Sequence, residues 1–73
     1  MLETERVKKG WSQRKLSSVS GVSQSYISKL ENSNIIHSPT LKQIIALALA
    51  LNIDPKSLAG NLIEKEMKYQ NLL

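Results

Sequence analysis

Gly21-Val22-Ser23-Gln24-Ser25-Tyr26-Ile27-Ser28-Lys29-Leu30-Glu31-Asn32 is the stretch from which the rest of the chain is read. Gly21 supplies a positive φ where a sharp turn needs one. Ser23 is a capping residue, Gln24 opens a helix, and Val22 and Ile27 stand at the two positions of a hydrophobic staple. Successive helical residues turn by about 100°, so Ser23, Ile27 and Leu30 share the side that faces a core. Ser25, Ser28 and Lys29 share the opposite side, with Gln24 at one border and Tyr26 at the other. The helix is expected over about 23–32.

The same entry device occurs just upstream. Trp11 precedes Ser12, which caps, and Leu16 stands where a staple partner belongs, so a second short helix is expected over about 12–20. Two short helices joined at a glycine form a helix-turn-helix, the unit that presents its second helix to the major groove of DNA. Gln24 can pair with adenine in bidentate fashion, and Lys29 can reach a guanine or a phosphate. The serines are short enough to let the helix approach a groove closely. The plainer reading of that face is an ordinary solvated helix surface; the preceding helix and glycine turn favour the groove. Tyr26 either packs at the core edge or extends its hydroxyl to the DNA backbone. Arg14 and Lys15 occupy the first turn of the upstream helix, where the macrodipole disfavours cations. A phosphate beside that helix end would reverse the penalty; otherwise both chains simply swing into solvent.

Size and charge agree with this direction. With 73 residues the chain is read as one domain whose modest core can lean on a partner. It carries net charge +4, and most of the excess lies in the first thirty residues: Arg6, Lys8, Lys9, Arg14, Lys15 and Lys29 against Glu3 and Glu5. A basic half points to a polyanion. There is no cysteine and a single histidine, so thiolate metal sites and disulfides are excluded, and neither a metal centre nor any other cofactor is expected. His37 reads as a plain loop residue. The N-terminus lacks a signal-peptide pattern, and the apolar run Ile44 to Leu51 is far below the ~20 residues that span a bilayer. A cytoplasmic, nucleoid-associated protein that makes no use of a membrane is expected.

Downstream, Ser38-Pro39 reads as a cap followed by proline at the first helical position. Leu41, Ile44, Ile45, Ala48 and Leu51 read as the core stripe of that fourth helix, which Asn52 can end in a left-handed conformation. Asp54-Pro55 repeats the cap-and-proline signal for a short fifth helix closed by Gly60. In the loop between, Asn32, Ser33 and Asn34 are candidate phosphate partners. Residues 1–60 are thus read as the helix-turn-helix domain and 61–73 as an amphipathic tail able to form a sixth helix. Its apolar residues, among them Leu62, Ile63, Met67, Tyr69, Leu72 and Leu73, alternate with Glu64, Lys65, Glu66 and Lys68.

Gly10-Trp11-Ser12-Gln13, Leu16, the run Gly21 to Asn32 and Pro39-Thr40-Leu41 together resemble the Cro and lambda-repressor-like helix-turn-helix family, also called the xenobiotic response element family. The likeness covers roughly residues 5–58. It implies a compact all-α, five-helix DNA-binding domain that binds near-palindromic operators on double-stranded DNA as a homodimer. By position it implies a phosphate contact from Gln13, base reading by Gln24, Ser25 and Lys29, a backbone contact from Asn32, and a structural ion pair between Arg6 and Glu31. With Arg14, Ser23, Tyr26 and Ser28 these make up the expected DNA-binding set.

Three departures from the family pattern stand out. The segment before Gly10 is short, so a phosphate contact from a longer first helix is not expected. Ser33 replaces the usual glycine after Glu-Asn. Ala46 and Leu49 are apolar where the fourth helix is usually polar. They share a face with Lys42 and Ile53, and a cover for that face is expected from the tail, through Leu62 and Met67, or from a second subunit. The leading functional expectation is a sequence-specific transcriptional regulator, a repressor. Alternatives are an antitoxin whose tail binds a toxin, and a protein-interaction module that keeps the fold without binding DNA. An enzyme is not expected, because no nucleophile, base and orienting group stand at plausible spacing.

Overall fold

The computed structural model describes residues 1–32 and 38–70. Ser33, Asn34, His37, Leu72 and Leu73, to which the sequence assigns loop or tail roles, lie outside them. Among the described residues there are five helices and no strand: α1 (Leu2–Lys8), α2 (Gln13–Ser20), α3 (Gln24–Glu31), α4 (Leu41–Leu51) and α5 (Pro55–Tyr69). The helix-turn-helix is α2 and α3.

Local chemistry explains the first boundaries. The Ser12 hydroxyl accepts from the Lys15 amide at 3.0 Å and the Ser23 hydroxyl from the Tyr26 amide at 3.2 Å, each satisfying an amide that the helix leaves without a partner. Gly21 ends α2 at φ 79°, and its N–H bonds the Ser17 carbonyl. A side chain there would be strained in the left-handed region, although open space surrounds the site. Leu16, Val22 and Ile27 are buried and Trp11 is half-buried against the same core, so both staples turn inward.

The fourth helix begins later than Ser38-Pro39 suggests. Thr40 is its cap: its hydroxyl accepts from the Gln43 amide at 3.1 Å, while the Gln43 side chain accepts from the Thr40 amide at 3.0 Å. This reciprocal capping box satisfies two donors at once, which Ser38 cannot do, because the residue three positions on is Leu41, which has no acceptor to return. The core stripe is also different. Ile44, Leu47, Ala48 and Leu51 face inward, whereas Leu41 is 74% and Ile45 47% exposed. Nearly every residue of this helix is apolar, so periodicity alone leaves its rotation open; packing against α2 and α5 decides it. Asn52 ends the helix in the left-handed region, φ 57° and ψ 43°.

The expected stop at Gly60 is absent. Asp54 caps α5 and Pro55 opens it, but the helix runs through Gly60 to Tyr69, absorbing the segment read as a separate tail. A glycine with a free Cβ position costs a helix about 1 kcal/mol without breaking it when neighbouring turns pack. Leu58 is fully buried and Ala59 and Leu62 pack against the core, which holds the helix on both sides of the glycine. α5 and α2 flank α4, α3 packs on α2, and α1 packs on α3. The core they enclose is centred on Leu16, Ile27, Leu47, Leu51 and Leu58.

Gly60→Ala distinguishes a continuous helix from a capped end. In the continuous helix it should stabilise the protein by about 0.5–1 kcal/mol, raising Tm by several degrees in a thermal melt. A fall in Tm would mean that Gly60 adopts a left-handed cap.

Candidate nucleic-acid interface

The outer side of α3 is built from polar residues that the core leaves outside. Ser23, Gln24, Ser25, Ser28 and Lys29 are exposed, as is Asn32 just beyond the helix, while Ile27 and Leu30 are buried. Tyr26 is half-buried at the core edge, and its removal from water raises the phenol pKa above its ordinary value. The Ser23 and Ser25 hydroxyls lie 3.4 Å apart at the start of the helix.

Glu31, at the other end of α3, is the acceptor on which three elements converge. Arg6 Nε donates to its Oε2 at 2.8 Å and Arg6 Nη2 to its Oε1 at 3.0 Å, a two-pronged pair. The side chains are 11% and 3% exposed respectively. Arg6 Nη1 also donates to the Trp11 carbonyl at 2.6 Å. The hydrogen bond from Arg6 to Glu31 outweighs desolvation and lifts the guanidinium pKa further above its ordinary value. Gln13 Nε2 donates to Glu31 Oε1 at 2.9 Å. The first residue of α2 and the last residue of α3 are thereby tied together, with α1 holding Glu31 and the carbonyl of Trp11 that leads into α2.

The site residues named from the sequence divide into groups. Gln24, Ser25, Ser28 and Lys29 lie together on α3, and Arg14 is exposed on the first turn of α2. Gln13 is half-buried and already engaged with Glu31. Ala46 and Ile53 are half-buried against the core. Leu62 also packs on the core, and with Met67 it lines a groove whose other walls are Leu41, Ile44, Ala59 and Ile63. Leu49 remains 68% exposed, so the described part of α5 does not cover it.

Two features were missed in the sequence. The ammonium groups of Lys9 and Lys15 lie 5.3 and 5.7 Å from the centroid of the Trp11 ring. This cation–π placement offsets the poor position of Lys15 at a helix start. The spacing of Trp11 and Lys15, one helical turn apart, carried that signal. Lys65, on α5, donates to the Leu30 and Asn32 carbonyls, and no local pattern announces that long-range bond.

Among the described residues no helix is long and apolar enough to cross a membrane, and no cluster of acidic, histidine or cysteine residues could hold a metal. The family model described as Helix-turn-helix matches residues 2–58, and the chain belongs to this family of Cro and lambda-repressor-like, xenobiotic-response-element-type DNA-binding transcription regulators. Comparison with curated proteins and with solved structures gave no match.

Removing one partner of the shielded pair leaves the other charge uncompensated. Arg6→Met or Glu31→Leu alone should each cost about 3 kcal/mol in urea denaturation, and the double substitution distinctly less than the sum. Single losses below about 1 kcal/mol would show the pair to behave as an exposed one.

Proposed function

We propose that this chain is a sequence-specific transcriptional repressor that binds a near-palindromic operator as a homodimer, with α3 in the major groove. The observation that carries the reading is the outer face of α3. Gln24, Ser25, Ser28 and Lys29 stand exposed on a helix whose inner face is sealed and whose far end is fixed through Glu31.

In this mechanism Gln24 reads an adenine through its side-chain amide, and Lys29 reaches a guanine or the phosphate beside it. Ser23, Ser25, Ser28 and Tyr26 border the helix and set its depth in the groove. Asn32 meets the DNA backbone at the end of α3. Gln13 spends one amide hydrogen on Glu31, and its second points the start of α2 toward a phosphate. Arg14 and Lys15 add the sequence-independent attraction. A dimer sets two α3 helices about 34 Å apart, and occupancy of the operator excludes polymerase. The subunit contact is assigned to the exposed stripe Leu41, Ile45 and Leu49 on α4, an apolar surface that water disfavours. The protein acts by binding, without catalysis, in the cytoplasm on the nucleoid.

Selection of sites from random DNA, with sedimentation at the same concentrations, tests the whole reading: a dyad-symmetric consensus and a two-fold species are expected. Gln24→Ala should relax preference at particular base pairs by about 1–3 kcal/mol. Arg14→Ala should weaken binding to all sequences and flatten the salt dependence by about one phosphate contact. Equal losses on every sequence from Gln24→Ala would rule out direct base reading. Leu49→Glu should shift the sedimenting species to monomer; an unchanged dimer would move the subunit contact elsewhere.

A further inference from the structure

α5 extends beyond the residues that match the family, and one of its side chains returns to the end of α3. Lys65 Nζ donates to the main-chain oxygens of Leu30 and Asn32, each at 3.1 Å. These bonds fall where a helix is short of partners, since its last carbonyls have none within the helix. Many helices recover some of them by closing with a left-handed residue. α3 does not: Asn32 is extended, with φ −81° and ψ 118°. An ammonium group at this position supplies donors to those oxygens and a positive charge to the negative end of the helix dipole.

We propose that Lys65 is a positioning residue for α3: it pins the last turn of the helix to α5 and so fixes the register from which Lys29 and Asn32 reach DNA. The proposal rests on the reading of α3 as the groove-facing helix. Arg6 and Gln13 hold the same helix end through a side chain, whereas Lys65 holds it through the main chain. The role is therefore not duplicated by the pair at Glu31. Lys65 itself touches neither base nor phosphate in this role. The long α5 thereby becomes part of the reading apparatus, and its contribution comes from outside the segment shared with the family.

Two variants and two readouts test this in the full chain. Lys65→Met keeps the aliphatic stem and removes the donors and the charge; Lys65→Arg retains both. In the free protein, amide exchange at Leu30, Glu31 and Asn32 should accelerate about five- to tenfold in Lys65→Met relative to core amides such as Leu47, and should stay near the parent rate in Lys65→Arg. On the DNA site selected by the parent chain, Lys65→Met should lose about tenfold in affinity at fixed salt. The slope of log affinity against log salt should not change, because no phosphate contact is lost. A slope reduced by about one would identify Lys65 as a direct phosphate ligand and overturn the proposal. So would a uniform rise in exchange across the whole core, which would mark a general loss of stability. Unaltered exchange at the end of α3 in a chain that binds DNA normally overturns the positioning role alone. If the parent chain selects no DNA while the exchange effect is present, the clamp stands and the reading of α3 as the groove-facing helix falls.

Discussion

The Glu31 carboxylate is the fixed point of this domain. It accepts from two nitrogens of Arg6 on α1 and from the side-chain amide of Gln13 on α2, while standing at the end of α3. An almost fully enclosed carboxylate is tolerated only when its oxygens are saturated with donors. Here that requirement has a geometric result. Three helices that meet only over short stretches acquire a common origin, and the angle between α2 and α3 is set at the end opposite to the Gly21 turn. The apolar core supplies most of the free energy of folding, but packing of leucines is not very discriminating about helix register. Directional bonds at Glu31 are.

Arg6 reaches further than the ion pair. Its third donor nitrogen binds the Trp11 carbonyl, which lies in the link between α1 and α2. One guanidinium therefore sets both the docking of α1 on α3 and the path by which the chain enters α2. The entry to α2 then fixes Ser12 as its cap and Gln13 as the residue that returns to Glu31. The circuit is closed by neighbouring residues, so a disturbance at any one of them reaches the other two.

Much of this was legible in the sequence, for identifiable reasons. Caps, staples and turn residues act over a few positions, so Ser12, Ser23, Gly21, Asn52 and Asp54 announce their elements directly. The helix-turn-helix and the polar face of α3 follow from them. Rotation of α4 was not legible, because a nearly uniform apolar helix has no face of its own and takes one from its neighbours. Its start is ambiguous in sequence because Ser38-Pro39 and Thr40-Leu41-Lys42-Gln43 are both valid entry signals, and only the second satisfies donors in both directions. Gly60 signals an end in the sequence because glycine is locally a poor helix residue; Leu58 and Leu62, packed on either side, outweigh that preference. The bonds from Gln13 to Glu31 and from Lys65 to Leu30 join distant positions, and no local rule reaches them.

Trp11 is the chain's single tryptophan, and it sits half-buried beside two ammonium groups and the carbonyl that Arg6 holds. An indole in such a field has an emission colour and intensity governed by those neighbours. The molecule thus carries a built-in optical reporter at the corner where its first two helices join. Any anion that draws Lys9 or Lys15 away from the ring would be visible in ultraviolet fluorescence, with no added dye or label.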